Sequence, residues 1–84
     1  MKSYMRSMLH EAIKNGNVDT VKALYNGNPI DYEIKFEYAR LLIDTGDVNQ
    51  GKKMLLELLD TRNRNYALLE LGKLAVQEKK YKYR

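Results

Sequence analysis

Apolar residues recur every three or four positions along most of the chain, and short polar stretches separate the runs. The first run is typical, and its apolar stripe comprises Met5, Met8, Leu9, Ala12 and Ile13. This spacing places the whole stripe on one side of an α-helix. Since no segment alternates apolar and polar residues over the length of a β-strand, the pattern predicts an all-α fold.

Small and polar residues mark the ends of the first two predicted helices. Gly16 is expected to end the first helix, because glycine adopts the left-handed C-terminal conformation without a steric clash. Asn17 is expected to cap the second helix, which buries Val18, Val21, Leu24 and Tyr25. Asn28 is then predicted to cap the third helix, with Pro29 in its first turn.

The third helix is predicted from about Ile30 to Thr45 and is apolar on two sides. One edge carries Ile34, Tyr38, Leu41 and Leu42, and the other carries Phe36, Ala39 and Ile43. Such a helix is usually sandwiched between neighbours. Gly46 ends it, and Asp47 with Gln50 resembles a capping box at the start of the fourth helix.

The last two helices complete the pattern. The fourth is predicted to bury Val48, Gly51, Leu55, Leu58 and Leu59, and a polar link at 60–65 follows it. The fifth is predicted to bury Leu68, Leu71, Gly72, Ala75 and Val76. Three of these helices also carry small residues, namely Ala39, Gly51 and Gly72. We expect these residues to allow two helices to approach closely where they cross.

The helices recur with a nearly constant period. When Gly16 is superposed on Gly46, 30 residues later, Val18 meets Val48 and Lys22 meets Lys52. A second superposition, of Gly46 on Lys79, has a period of 33 residues. Helical hairpins with such periods must stack to bury their apolar faces. The chain is therefore predicted to be a single domain, 1–84, with hairpins at 2–28 and 29–60 and a terminal helix at 65–84.

Two segments resemble tetratricopeptide repeats. "YARLLIDTGDVNQGKKMLLELL" (38–59) has small residues in both helices and a Gly-Asp turn, and "YALLELGKLAVQEKKYKYR" (66–84) resembles the front of a further repeat. The first unit is a weaker match and also echoes an ankyrin repeat. The tetratricopeptide resemblance implies a right-handed α-solenoid in which the first helix of each hairpin lines a concave groove. The groove residues that it implies are Arg6, His10, Lys14, Phe36, Arg40, Tyr66, Lys73 and Gln77.

The residue types argue against catalysis. His10 is the only histidine, and the position where a zinc-protease motif needs its second histidine holds Lys14. The chain has no cysteine, which excludes disulfides and thiolate metal sites. We therefore expect neither an enzyme nor a cofactor or metal site. The expected function is recognition of a protein or peptide in the groove.

Charge narrows the choice of partner. The net charge is +4, divided into +2 over residues 1–30, −3 over 31–60 and +5 over 61–84. The groove cations suit an acidic peptide with a hydrophobic anchor. Two alternatives are a homodimer formed through the fifth helix and RNA binding by the basic tail at 79–84 together with Arg62 and Arg64. The acidic middle of the chain disfavours nucleic acid. No apolar run spans a membrane and no export signal is visible, so a cytoplasmic protein is expected.

Overall fold

The computed structural model describes residues 2–82, and it describes the side chains of residues 2–78. These residues form five α-helices and no β-strand, which confirms the all-α prediction. The helices are α1 (Ser3–Lys14), α2 (Val18–Gly27), α3 (Tyr32–Asp44), α4 (Val48–Glu57) and α5 (Arg64–Lys82), with a 3-10 turn at Leu58–Asp60. None of the described helices is long and apolar enough to cross a membrane. The side chains of the predicted basic tail, 79–84, lie outside the described residues.

The turns after α1 and α3 have the same hydrogen-bonded geometry. Gly16 and Gly46 have φ angles of +64° and +107°, which L-residues with a side chain rarely adopt. In the first turn, the amides of Gly16 and Asn17 donate to the carbonyls of Ile13 and Ala12 over 3.1 and 2.8 Å. The second turn repeats both bonds 30 residues later, over 3.2 and 2.8 Å. Each is a Schellman cap, and the predicted role of both glycines is confirmed.

The predicted cap of α2 is confirmed, whereas that of α3 is wrong. The side chain of Asn17 accepts a hydrogen bond from the amide of Thr20 over 3.2 Å. α3 begins at Tyr32, and its cap is Asp31, which accepts from two backbone amides over 3.0 and 3.2 Å. A carboxylate suits the positive end of the helix dipole. The side chain of Asn28 instead donates to the carbonyl of Leu24 over 3.0 Å, so Pro29 and Ile30 lie in a link between the helices.

The capping box predicted for α4 is also absent from the structure. Asp47 precedes α4, but its side chain makes no capping hydrogen bond. In a capping box the side chain of Gln50 would accept from the backbone amide of Asp47. That amide already donates to the carbonyl of Leu42 in the preceding Schellman cap. The amide of Asp47 therefore caps the C-terminus of α3 and is not available for a capping box at the N-terminus of α4.

The core is centred on α3, which packs against α2, α4 and part of α1. Both predicted edges of α3 are buried or half-buried, which confirms that this helix is sandwiched. The fully buried residues Leu9, Val21, Ile34, Leu55 and Leu58 join these helices and the 3-10 turn into one cluster. Met8 departs from the prediction, because it is exposed on α1.

α5 buries a different face from the one that the sequence predicted. Its buried residues are Ala67 and Leu74, which face α4 and the 3-10 turn. Leu71 is half-buried, while Leu68 and Val76 are 44% and 65% exposed. A Cβ built on Gly72 would meet no atom within 4 Å, so the predicted close crossing there is wrong. α5 carries apolar residues on more than one side, and among the described residues its neighbours cover only one of them.

Candidate functional site

A groove of about 1250 Å³ opens where α1, α3 and α5 meet the link that precedes α3. Its apolar lining comprises Met5, Pro29, Ile30, Tyr32, Phe36 and Tyr66. Charged residues line it as well, namely Lys2, Arg6, Asp31, Glu33, Glu37 and Arg62. The groove therefore combines an apolar base with charges of both signs.

Two aromatic rings join α3 to α5 at this groove. The rings of Phe36 and Tyr66 lie 6.0 Å apart between centroids and are inclined by 54°. This spacing and tilt are favourable for aromatic pairs. Phe36 is only 9% exposed, whereas Tyr66 is 62% exposed. The buried Phe36 ring thus packs against the Tyr66 ring, and much of the Tyr66 ring stays open to a ligand.

Arg40 is the centre of a small charged network on α3 and α5. Its guanidinium lies 5.6 Å from the centre of the Phe36 ring, within cation–π distance. Its nitrogens also lie 3.4 Å from a Glu37 oxygen and 3.6 Å from a Glu70 oxygen. The ammonium of Lys73 lies 3.4 Å from that same Glu70 oxygen. This network links the two helices and engages two of the predicted groove cations with carboxylates of the chain itself.

Arg6 is paired in a similar way. Its guanidinium lies 3.5 Å from a carboxylate oxygen of Glu33, so the pair joins α1 to α3 across the groove. Both side chains are about half exposed, and such pairs contribute little to stability. An incoming acidic ligand would have to compete with the carboxylates that already neutralise Arg6, Arg40 and Lys73.

The pKa of the Glu37 carboxyl is clearly perturbed. Partial burial raises the pKa of its carboxyl above the ordinary value, because removal from water disfavours the charged form. Arg40 opposes this rise, by charge and by a hydrogen bond, while the nearby Glu33 adds to it and His10 lowers the pKa slightly. Glu37 therefore carries its negative charge at a free-energy cost beside the groove.

The predicted groove residues do not all meet at one place. Arg6, Phe36 and Tyr66 line the groove, and Arg40 contacts Phe36 beside it. The other predicted residues are exposed and lie outside the groove lining, namely His10, Lys14, Lys73 and Gln77. Lys73 is connected to the site only through Glu70.

Most residues that line the groove were not among those predicted, and Ile30 and Arg62 are two of them. Ile30 is 86% exposed at the groove because α3 starts later than the sequence suggested. Arg62 reaches the groove because its neighbour Asn63 donates a side-chain hydrogen bond of 3.4 Å to the carbonyl of Tyr32. The recognisable signal for Ile30 was Asp31, since a carboxylate just before a helical run is a strong capping residue. No comparable signal exists for Arg62, whose position depends on a tertiary contact.

The described residues contain no group of three or more His, Asp or Glu side chains placed to hold a metal ion. What the groove offers is an exposed aromatic ring, an exposed aliphatic side chain and charges at its edges. A scan against protein-family models finds no match to the chain, and searches of curated proteins and of solved structures find none either.

Proposed function

We propose that the chain is a small α-solenoid of tetratricopeptide-like hairpins and that it is a non-catalytic protein-interaction module. Two features support the architecture. The Schellman turns at Gly16 and Gly46 are equivalent and lie 30 residues apart, as in stacked repeats. The chain is also flattened, with principal dimensions of 44 × 28 × 16 Å, as expected when hairpins stack side by side.

The observation that supports the proposed function most strongly is that the exposed ring of Tyr66 packs against the buried ring of Phe36. Aromatic side chains provide a large contact area and lose little conformational entropy on binding. Here both rings belong to helices, and the guanidinium of Arg40 packs over the Phe36 ring. Binding therefore requires little ordering of the groove, which favours affinity. The ligand would be a peptide or helix whose apolar side chain packs on Tyr66.

This proposal can be tested with one pair of tyrosine variants. Tyr66 and Tyr4 are almost equally exposed, at 62% and 61%, but only Tyr66 lines the groove. Peptides selected from a random library on the wild-type chain would be titrated against Tyr66→Ala and Tyr4→Ala. We expect about a tenfold or greater loss of affinity for Tyr66→Ala alone, the size typical of a central aromatic contact. Equal affinities for both variants would contradict the proposal.

A second candidate function is self-association through α5, and the uncovered apolar face of that helix favours it. Leu68, Gly72 and Val76 follow one another at intervals of four residues, so they share a side of the helix. In an antiparallel pair centred on Gly72, Leu68 of one copy would meet Val76 of the other. Sedimentation equilibrium tests this candidate. A dimer that becomes a monomer in Val76→Asp would support it, and a wild-type monomer at all concentrations would exclude it.

A further inference from the structure

We infer that Arg62 sets the specificity of the groove, by selecting a segment that carries a carboxylate next to its hydrophobic anchor. This inference rests on the proposed peptide-binding function and adds a partner chemistry to it. The sequence suggested Arg6, Lys14, Arg40 and Lys73 as the acid-binding cations. In the structure Lys14 lies outside the groove lining, and each of the other three already faces a carboxylate. The selective charge must therefore come from another residue.

The three carboxylates that line the groove are all satisfied within the chain. Asp31 accepts hydrogen bonds from the first amides of α3, and its charge is favoured by the helix dipole. Glu33 is paired with Arg6, and Glu37 is paired with Arg40. None of the three requires a cation from a ligand. The charge that remains available in the groove is positive.

Arg62 carries that positive charge. It is exposed, it lines the groove, and no carboxylate among residues 2–78 lies within ion-pairing distance of it. Its backbone is nonetheless well fixed on both sides. The hydroxyl of Thr61 donates to the carbonyl of Leu58 over 2.6 Å and accepts from the amide of Asn63 over 3.1 Å. The loop thus holds the Arg62 backbone in place while its guanidinium stays unpaired among the described residues.

The same groove that contains this cation also contains the most exposed apolar groups of the lining. Arg62, Ile30 and Tyr66 line the same groove, and Lys2 adds a second cation to the lining. A ligand side chain that packs between Ile30 and Tyr66 would bring its flanking residues near Arg62. An acidic flank would gain attraction and a basic flank would meet repulsion, which is how edge charges impose specificity. The matching partner is a protein segment with an aliphatic or aromatic anchor and an adjacent Asp or Glu.

A charge-reversal variant tests this inference. A random-peptide library would be selected on the wild-type chain, on Arg62→Glu and on Lys53→Glu. Lys53 is exposed on α4 outside the groove lining, so its reversal changes the net charge equally. We expect Asp or Glu beside the anchor in peptides from the wild type and Lys53→Glu, and Lys or Arg there in peptides from Arg62→Glu. Peptides from the wild type should bind Arg62→Glu about tenfold more weakly, because an attraction becomes a repulsion.

The outcomes separate this inference from the proposed function. If peptides bind through Tyr66 but the same flanking residues are selected on Arg62→Glu, the role of Arg62 is wrong and the groove remains a binding site. If selection on the wild type yields no peptide that depends on Tyr66, the proposed function fails and the inference falls with it. Preferential binding of single-stranded RNA that Arg62→Glu abolishes would also overturn the inference, since the charge would then serve phosphates.

Discussion

Gly51 on α4 lies directly against the backbone of Ala39 on α3. A Cβ built on Gly51 would lie 2.6 Å from the carbonyl oxygen of Ala39, a separation that real Cβ atoms essentially never show. The same atom would lie 2.6 Å from Cγ1 of Ile43. The two helices can approach this closely only because position 51 has no side chain. This crossing confirms the sequence-based expectation that Ala39 and Gly51 are contact points between helices.

Gly51→Ala is expected to lower the free energy of unfolding. Alanine has the better helix propensity, by about 1 kcal/mol, but overpacking against a backbone carbonyl costs about 1–3 kcal/mol. The net loss of stability should therefore be up to about 2 kcal/mol. The control is Gly72→Ala, because a Cβ there meets nothing within 4 Å and should stabilise α5 by up to about 1 kcal/mol. Urea unfolding measures both, and a gain of stability in Gly51→Ala would contradict the close crossing.

The turn glycines should also be sensitive to substitution. Gly46→Ala is expected to reduce stability by about 1–2 kcal/mol, because alanine is strained at a φ of +107°. Gly27→Ala is the matched control, since Gly27 has no positive φ and a Cβ there meets no atom within 4 Å. Thermal unfolding of the two variants would measure the difference. Equal melting temperatures would show that the turn after α3 does not depend on the left-handed conformation.

Glu37 should make the stability depend on pH. Its pKa is raised on folding above the ordinary value of 4.5, so the folded state disfavours the charged form. The resulting cost is fully present above the raised pKa and disappears as the pH falls toward 4.5. Glu37→Gln should therefore be more stable than the wild type at neutral pH and should lose this advantage in acid. Thermal unfolding across this pH range checks the sign.

The effect of Glu37 should also depend on Arg40. Arg40 is the main influence that lowers the pKa of Glu37, so in an Arg40→Gln background burial acts with less opposition. The stabilisation by Glu37→Gln at neutral pH should then be larger than in the wild type, which a double-mutant cycle would measure. A smaller stabilisation in that background would show that the Arg40 pair does not offset the burial of Glu37.

The ion pair between Arg40 on α3 and Glu70 on α5 leads to a further prediction. Arg40→Leu removes two ion pairs and the contact with the Phe36 ring, and it should cost about 1 kcal/mol. Arg6→Leu removes one half-exposed pair and should cost less. High salt should narrow the difference between the two variants, because it screens surface charges. Guanidinium is itself a salt, so urea unfolding is the suitable measurement. An equal cost for both variants would indicate that the network around Arg40 contributes no more than a single pair.

The sequence was most informative where structure is determined locally. The left-handed turns and the two buried edges of α3 follow from residue types and spacing, and the structure confirms both. The Asp47 capping box failed because one backbone amide cannot serve two caps, a conflict that appears only once the turn geometry is known. The prediction of the buried face of α5 was wrong because apolar residues occur on several sides of that helix. Periodicity alone could not identify which side its neighbours cover.

The contacts at the candidate site also divide into those set by local sequence and those set by tertiary packing. The pairs Glu37–Arg40 and Glu70–Lys73 are three residues apart on one helix and could have been anticipated from the sequence. The pair that joins Arg40 to Glu70 could not, because it depends on how α3 and α5 pack. This tertiary pairing engages Arg40, one of the cations that were expected to bind a ligand. The exposed positions of Ile30 and Arg62 likewise follow from where α3 begins and how the loop before α5 is held.

Amide chemical-shift mapping with the library-selected peptides tests most directly whether the groove across α1, α3 and α5 binds a peptide. The shifts are expected to cluster on residues that line the groove, at Arg6, Ile30, Phe36, Arg62 and Tyr66. Shifts confined to the outward face of α5, near Leu68 and Val76, would contradict it and would favour self-association or another partner on that helix.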